Sequence, residues 1–166
     1  MDGTDDYIDL PDGVYFDDNT FTVEAWVYLR SYNTWSRLID FGNGSSNNNV
    51  LIAVSNSTSG YPHLDIYQNN GSTALPTTTT IPLNKWTHLA VVLNGTTAYI
   101  YMNGVQIASG TMPTPLNVTR TNNYIGKSNW SDGYANMKVD EFRIWSTART
   151  QTEIIQNMYK ELSGGE

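Results

Sequence analysis

The stretch Trp86-Thr-His-Leu-Ala-Val-Val-Leu-Asn-Gly95-Thr-Thr-Ala-Tyr-Ile-Tyr-Met-Asn-Gly104-Val-Gln-Ile-Ala-Ser109 decides the fold. It holds three segments rich in β-branched and aromatic residues: Trp86 to Leu93, Ala98 to Met102 and Val105 to Ala108. Asn94-Gly95 and Asn103-Gly104 separate them. Asn and Gly both accept positive φ, which the two-residue turn of a tightly twisted hairpin requires. The stretch therefore predicts two successive antiparallel hairpins.

The same signature continues on both sides. Phe21 to Leu29 alternates, with Phe21, Val23, Ala25, Val27 and Leu29 on one face. Its other face carries Thr22, Glu24, Trp26 and Tyr28, whose rings suggest partial cover there too. Arg37 to Phe41 and Val50 to Val54 are short apolar runs around the loop Gly42 to Asn49. His63 to Gln68 reads as a strand ending at Asn69-Asn70-Gly71, and a last pair lies around Asn123 to Gly126 and Met137 to Trp145. Leu75 to Pro82 is a Pro-bounded Thr run, an extended edge or a loop. Many short strands with Gly/Asn turns and no βαβ alternation predict an all-β, antiparallel two-sheet sandwich. One helix is predicted near the end. Thr150-Gln-Thr-Glu153 has capping-box spacing, Ile154, Ile155, Met158 and Leu162 repeat along one face, and Gly164-Gly165 stops it.

Composition narrows the function classes. The 166 residues contain no Cys, which excludes a disulfide framework and thiolate metal sites. Nine basic against sixteen acidic residues give a net charge of −7, so no basic patch is available to displace counterions from nucleic acid. No run approaches the roughly 18 apolar residues of a membrane span, and no membrane insertion is expected. The chain carries 20 Thr, 18 Asn and 13 Ser, and 11 Tyr and 5 Trp against 4 Phe. Such a polar, ring-rich strand surface fits an extracellular or cell-surface domain. The six sequons, at Asn43, Asn56, Asn70, Asn94, Asn117 and Asn129, are expected by chance at this composition.

Six blocks in order resemble a laminin-G-like, concanavalin A-type jelly roll. They are Asp2-Gly-Thr-Asp-Asp-Tyr-Ile-Asp-Leu-Pro11, Phe21-Thr-Val-Glu-Ala-Trp26, Trp86-Thr-His-Leu-Ala-Val91, Ile100-Tyr-Met-Asn-Gly-Val105, Tyr124-Ile-Gly126 and Val139-Asp-Glu-Phe-Arg-Ile-Trp-Ser-Thr-Ala-Arg149. The resemblance implies a jelly roll with a short C-terminal helix, a single domain over 1–166 excised from a larger multi-domain protein, with neighbouring domains as partners. Related sandwiches hold a structural calcium ion with an aspartate in the closing strand, the N-terminal segment and a loop glycine. The matching positions are Asp140, Asp2 and Gly42. Asp140 fits the picture further, because a bare carboxylate in an otherwise apolar strand is costly. Asp140 bonded to backbone N–H or Arg without metal is the alternative.

The fold hosts lectins, adhesion modules and glucanases, so function must come from the site. The Glu-x-Asp-x-Glu strand of laminarinase-type enzymes is absent, and Glu24 and Glu141 are the only glutamates in probable strands. His63 and His88 lack a nucleophile elbow. Two loops combine rings with polar partners, Tyr32 to Ser36 and Asn129 to Asn136. Trp35, Trp130, Asp132 and Tyr134 are the candidate ligand residues, with Asn47 to Asn49 nearby for hydroxyls. A ring folded over its own sandwich edge is the alternative for each. The expectation is a non-catalytic carbohydrate-binding or adhesive module taking a neutral glycan or cell-surface ligand. A structural spacer comes second, a protein-binding module third and a glycoside hydrolase last.

Overall fold

A computed structural model describes residues 1–69 and 71–162. Among these residues, eleven strands form two antiparallel sheets. The six-stranded sheet runs β1 (Ile8–Leu10), β10 (Asn122–Ile125), β3 (Arg37–Gly42), β4 (Val50–Ala53), β5 (His63–Gln68) and β6 (Gly71–Pro76). The five-stranded sheet runs β11 (Met137–Trp145), β2 (Thr20–Leu29), β7 (Trp86–Asn94), β8 (Thr97–Met102) and β9 (Val105–Thr111). One helix among the described residues, α1 (Gln151–Asn157), follows β11. It is too short to cross a membrane, and no helix of the described residues does so.

The two hairpins of the deciding stretch form as expected, with one refinement. Asn103 and Gly104, at φ 51 and 76, make the two-residue turn between Met102 and Val105. In the other turn Asn94 pairs with Thr97, so the loop residues are Gly95 and Thr96, and of these only Gly95 has positive φ.

The period-2 pattern of β2 sets the sandwich. Phe21, Val23, Ala25, Val27 and Leu29 all enter the core, where they meet Leu89, Val91 and Leu93 of β7 and Ile39, Phe41, Ile52, Leu64 and Ile66 of the opposite sheet. The outer face of β2 is covered too. Ile154 of the C-terminal segment packs with Ala90, Val92 and Tyr101, Met158 is buried as well, and Trp26 Nε1 donates to the Met158 carbonyl at 2.6 Å.

Thr150 caps α1 with the full capping box to Glu153. The expected apolar face is shorter than its sequence spacing suggested. The helix ends at Asn157, which leaves Leu162 beyond it, and Ile155 and Leu162 are exposed. The Gly164-Gly165 stop lies outside the described residues. β6 had no alternating signal, because it is an edge strand in which only Leu75 is buried.

Candidate functional site

The outer face of the six-stranded sheet carries the chemistry. In β5, Leu64 and Ile66 point to the core while His63, Asp65 and Tyr67 face outward. In β3 a register shift between Arg37 and Ile39 inserts an extra residue. Arg37 and Asp40, three apart, consequently share the outer face, with Arg37 Nε 3.8 Å from Asp40 Oδ2.

Two loops close over this face. The loop after β2 delivers Trp35 in left-handed backbone at φ 51, held by its N–H on the Ser57 carbonyl. The loop after β10 delivers Trp130 and Asp132. Ser128 Oγ donates to Asp132 Oδ2 at 2.9 Å and accepts from the Trp130 N–H at 3.1 Å. The loop is anchored by Asn129, whose N–H and Nδ2 both donate to the Asp40 carboxylate at 2.9 Å. Asn49 Nδ2 donates to the same carboxylate at 2.8 Å. Burial pushes the Asp40 carboxyl up, and the Asn129 and Asn49 hydrogen bonds and Arg37 oppose that push.

The result is a cleft of about 180 Å³ lined by Trp35, Arg37, Asp65, Tyr67, Trp130 and Asp132. The Arg37 guanidinium carbon sits 5.7 Å from the Trp35 ring centre and 5.8 Å from that of Trp130, and Nη2 donates to Asp132 at 2.9 Å. Trp130 leans on Tyr67 at 5.1 Å and Trp35 meets His63 edge-on at 5.6 Å. His63 Nε2 lies 2.8 Å from Asp65 Oδ2. Both tryptophans are half-buried and line the cleft. The arrangement offers aromatic planes for sugar C–H faces, carboxylate acceptors for hydroxyl donors and a guanidinium for hydroxyl oxygens.

Three of the four expected ligand residues, Trp35, Trp130 and Asp132, thus meet in one cleft. Tyr134 does not line it; its ring packs 6.2 Å from Tyr7. The Asn47 to Asn49 run does not line it either, and Asn49 is buried beneath it on Asp40. Arg37, Asp65 and Tyr67 were missed. The polar half of the β5 alternation, His63, Asp65 and Tyr67, was the available signal.

The three residues matched to a calcium site are not brought together. Gly42 ends β3 in the six-stranded sheet, and its carbonyl accepts from the Thr121 N–H. Asp140 is in the other sheet, exposed on its edge strand β11, where Oδ1 accepts the Glu141 N–H. The cost argument for Asp140 therefore fails, because this carboxylate faces water. Asp2 pairs with Asn136, four residues before Asp140, about 13 Å along an extended chain. Calcium needs its oxygens within about 2.6 Å of one point, so these three residues do not fit one ion. Asp2 instead lies beside Asp5 and Asp6, and its Oδ1 accepts the Thr4 N–H.

The two strand glutamates serve the opposite sheet. Glu24 is fully buried under the C-terminal segment. It accepts from Trp145 Nε1 at 2.8 Å and has His88 at 3.7 Å and Arg143 at 3.8 Å. Burial and the nearby Arg143 push His88 down to about 4. Glu141, at φ 50 in the β11 register shift, pairs with Arg143 and accepts the Leu162 N–H at 2.9 Å.

Residues 2–155 match the family model of the concanavalin A-like lectin/glucanases superfamily, Laminin_G_3. The chain belongs to this superfamily. A stretch of 79 residues is 32% identical to mouse (Mus musculus) pappalysin-1, covering 45% of this chain and 5% of that protein. Among solved structures, similarity extends to domain 4 of AbnA, a GH43 extracellular arabinanase from Geobacillus stearothermophilus, in complex with arabinotriose. The TM-score is 0.74 at 26% identity, over 90% of this chain and 71% of that one. A putative carbohydrate-binding protein from Bacteroides ovatus aligns with TM-score 0.70 at 18% identity, over 99% of this chain and 48% of that one. At that identity the second likeness shows the fold alone.

Proposed function

We propose that this superfamily member is a non-catalytic carbohydrate-binding module whose ligand is a neutral oligosaccharide. The observation that carries this is the convergence of Trp35 and Trp130, from distant loops, on one cleft with Arg37, Asp65 and Asp132. A sugar ring stacks on the indole planes, while Asp65, Asp132 and Arg37 take its hydroxyls. The cleft's charge favours a neutral ligand, because Arg37 is already paired with Asp132 and faces Asp40. The likeness to an arabinanase domain in complex with arabinotriose supports the same ligand class.

Binding rather than hydrolysis also fits the carboxylates present. Glycoside hydrolysis takes a protonated acid and a second free carboxylate flanking the bond. Here Asp132 is tied to Arg37 and Ser128, and Asp65 to His63. Glu24 and Glu141 are engaged on the opposite sheet. The extracellular setting of the arabinanase relative supports an extracellular or cell-surface role.

Affinity electrophoresis through gels containing arabinan, xylan or β-glucan, with a glycan array alongside, tests the reading. Retardation in at least one neutral polysaccharide supports it, as does the absence of sugar release. Mobility unchanged in all gels, with no array signal, would leave a structural spacer as the better reading.

A further inference from the structure

A second aromatic cluster lies on the same sheet face, outside the cleft. Tyr7, just before β1, meets Tyr124 of β10 edge-on at 5.5 Å and Tyr134 at 6.2 Å. None of the three rings belongs to the hydrophobic core, and Tyr7 is 41% exposed. The Lys127 ammonium sits 4.1 Å from the Tyr7 ring centre and 4.4 Å from that of Tyr124. Rings already packed against one another lose less freedom on meeting a ligand than free side chains do.

The register connects this cluster to the cleft. Asp9, Tyr124, Asp40, Leu51 and Asp65 are successive cross-strand partners on β1, β10, β3, β4 and β5. Tyr124 therefore shares the outer face with Asp65 of the cleft, three strand spacings away, about 14 Å. The loop that carries Trp130 and Asp132 into the cleft carries Lys127 and Tyr134 to the cluster. Asp9 is exposed beside Tyr124 and adds a hydroxyl acceptor.

We propose that Tyr7, Tyr124 and Tyr134 form a second stacking subsite for the same ligand, which is then a chain of several sugar units running across the strands. This rests on the glycan reading of the cleft. One unit occupies the space between Trp35 and Trp130, and a later unit stacks on the tyrosines with Lys127 and Asp9 at its hydroxyls.

Chain-length dependence tests it. Calorimetric titration uses arabino-oligosaccharides, xylo-oligosaccharides and β-gluco-oligosaccharides of one to five units. Wild-type affinity is expected to rise by about tenfold once the chain is long enough to span the roughly 14 Å to the tyrosines, the worth of one aromatic contact. Tyr134→Ala and Tyr7→Ala should remove that rise while leaving the shortest ligand within about twofold, since about 0.4 kcal/mol corresponds to a factor of two. Tyr134→Phe should keep it. Tyr134→Leu retains apolar bulk without the stacking plane, and should lose the rise at an unchanged melting temperature. Wild-type affinity that is flat with length, or a rise that survives both alanine variants, overturns the second subsite and leaves the cleft standing. No binding at any length in any series overturns the cleft reading together with this proposal.

Discussion

Asn129 donates to Asp40 through both its backbone N–H and its side-chain amide, so a surface loop closes on a carboxylate that is fully buried in β3. Trp130 follows Asn129 directly, and its position in the cleft depends on that anchor. Asn129→Ala removes the side-chain donor but leaves the backbone N–H on Oδ2 and Asn49 on Oδ1, so it should cost about 0.5–1.5 kcal/mol, the usual net worth of one hydrogen bond. Thermal denaturation measures the cost. A variant as stable as the wild type would show that the side-chain half of the anchor contributes nothing.

The Asp40 carboxyl is raised above its ordinary value by burial. The folded state then holds a proton the unfolded chain has released, so stability falls as pH climbs from the unfolded value through the raised one. Asp40→Asn removes this titration and should flatten the acid limb of the stability profile in that window.

His88 has the opposite sign. Its folded value of about 4 lies below the ordinary 6.5, so the unfolded chain takes up the proton first as pH falls. Stability contributed by neutral His88 is complete above the ordinary value and is lost between about pH 6.5 and 4, by at most roughly 3 kcal/mol. Chemical denaturation from pH 7 to 4 should show a decline that His88→Gln reduces. An equal decline in both proteins would remove His88 as its source.

The fold was legible because its signals are local. The Asn-Gly turns and the alternation of β2 reveal hairpins and a buried face within ten residues. The edge strand β6 was not legible, since Gly71-Ser-Thr-Ala-Leu-Pro76 buries one side chain and shows no period. Of the site, Trp35, Trp130 and Asp132 were readable as rings and acids in loops. Arg37 and Asp40 were not, because a register shift in β3 turns both outward, and a shift leaves no mark in residue spacing. The matched ion positions show the same limit of reading residues singly. Asp2, Gly42 and Asp140 matched family positions one by one, while the pairing of β11 and β3 in different sheets sets Asp140 and Gly42 apart.

That separation has a measurable consequence. Asp140→Ala should change stability by no more than about 0.5 kcal/mol, as for an exposed residue, and by the same amount in calcium and in chelator. A calcium-dependent difference between variant and wild type would show that Asp140 holds an ion after all.

Phe41 and Trp130 separate core from site. Phe41 is wholly buried against Phe16 and Tyr15, and Phe41→Ala should cost about 3–5 kcal/mol. Trp130 is half-buried over Tyr67 and Arg37, and Trp130→Ala should lower the melting temperature far less than Phe41→Ala does.

The central claim is that the cleft between Trp35 and Trp130 holds a sugar. Calorimetric titration of wild type and Trp130→Ala with arabinotriose, each with its melting curve, addresses it most directly. Saturable heat in the wild type is expected, with a loss of about 2 kcal/mol of binding free energy in the variant at a nearly unchanged melting temperature. Equal binding by the two proteins would contradict the account, as would a Trp130→Ala variant that no longer folds.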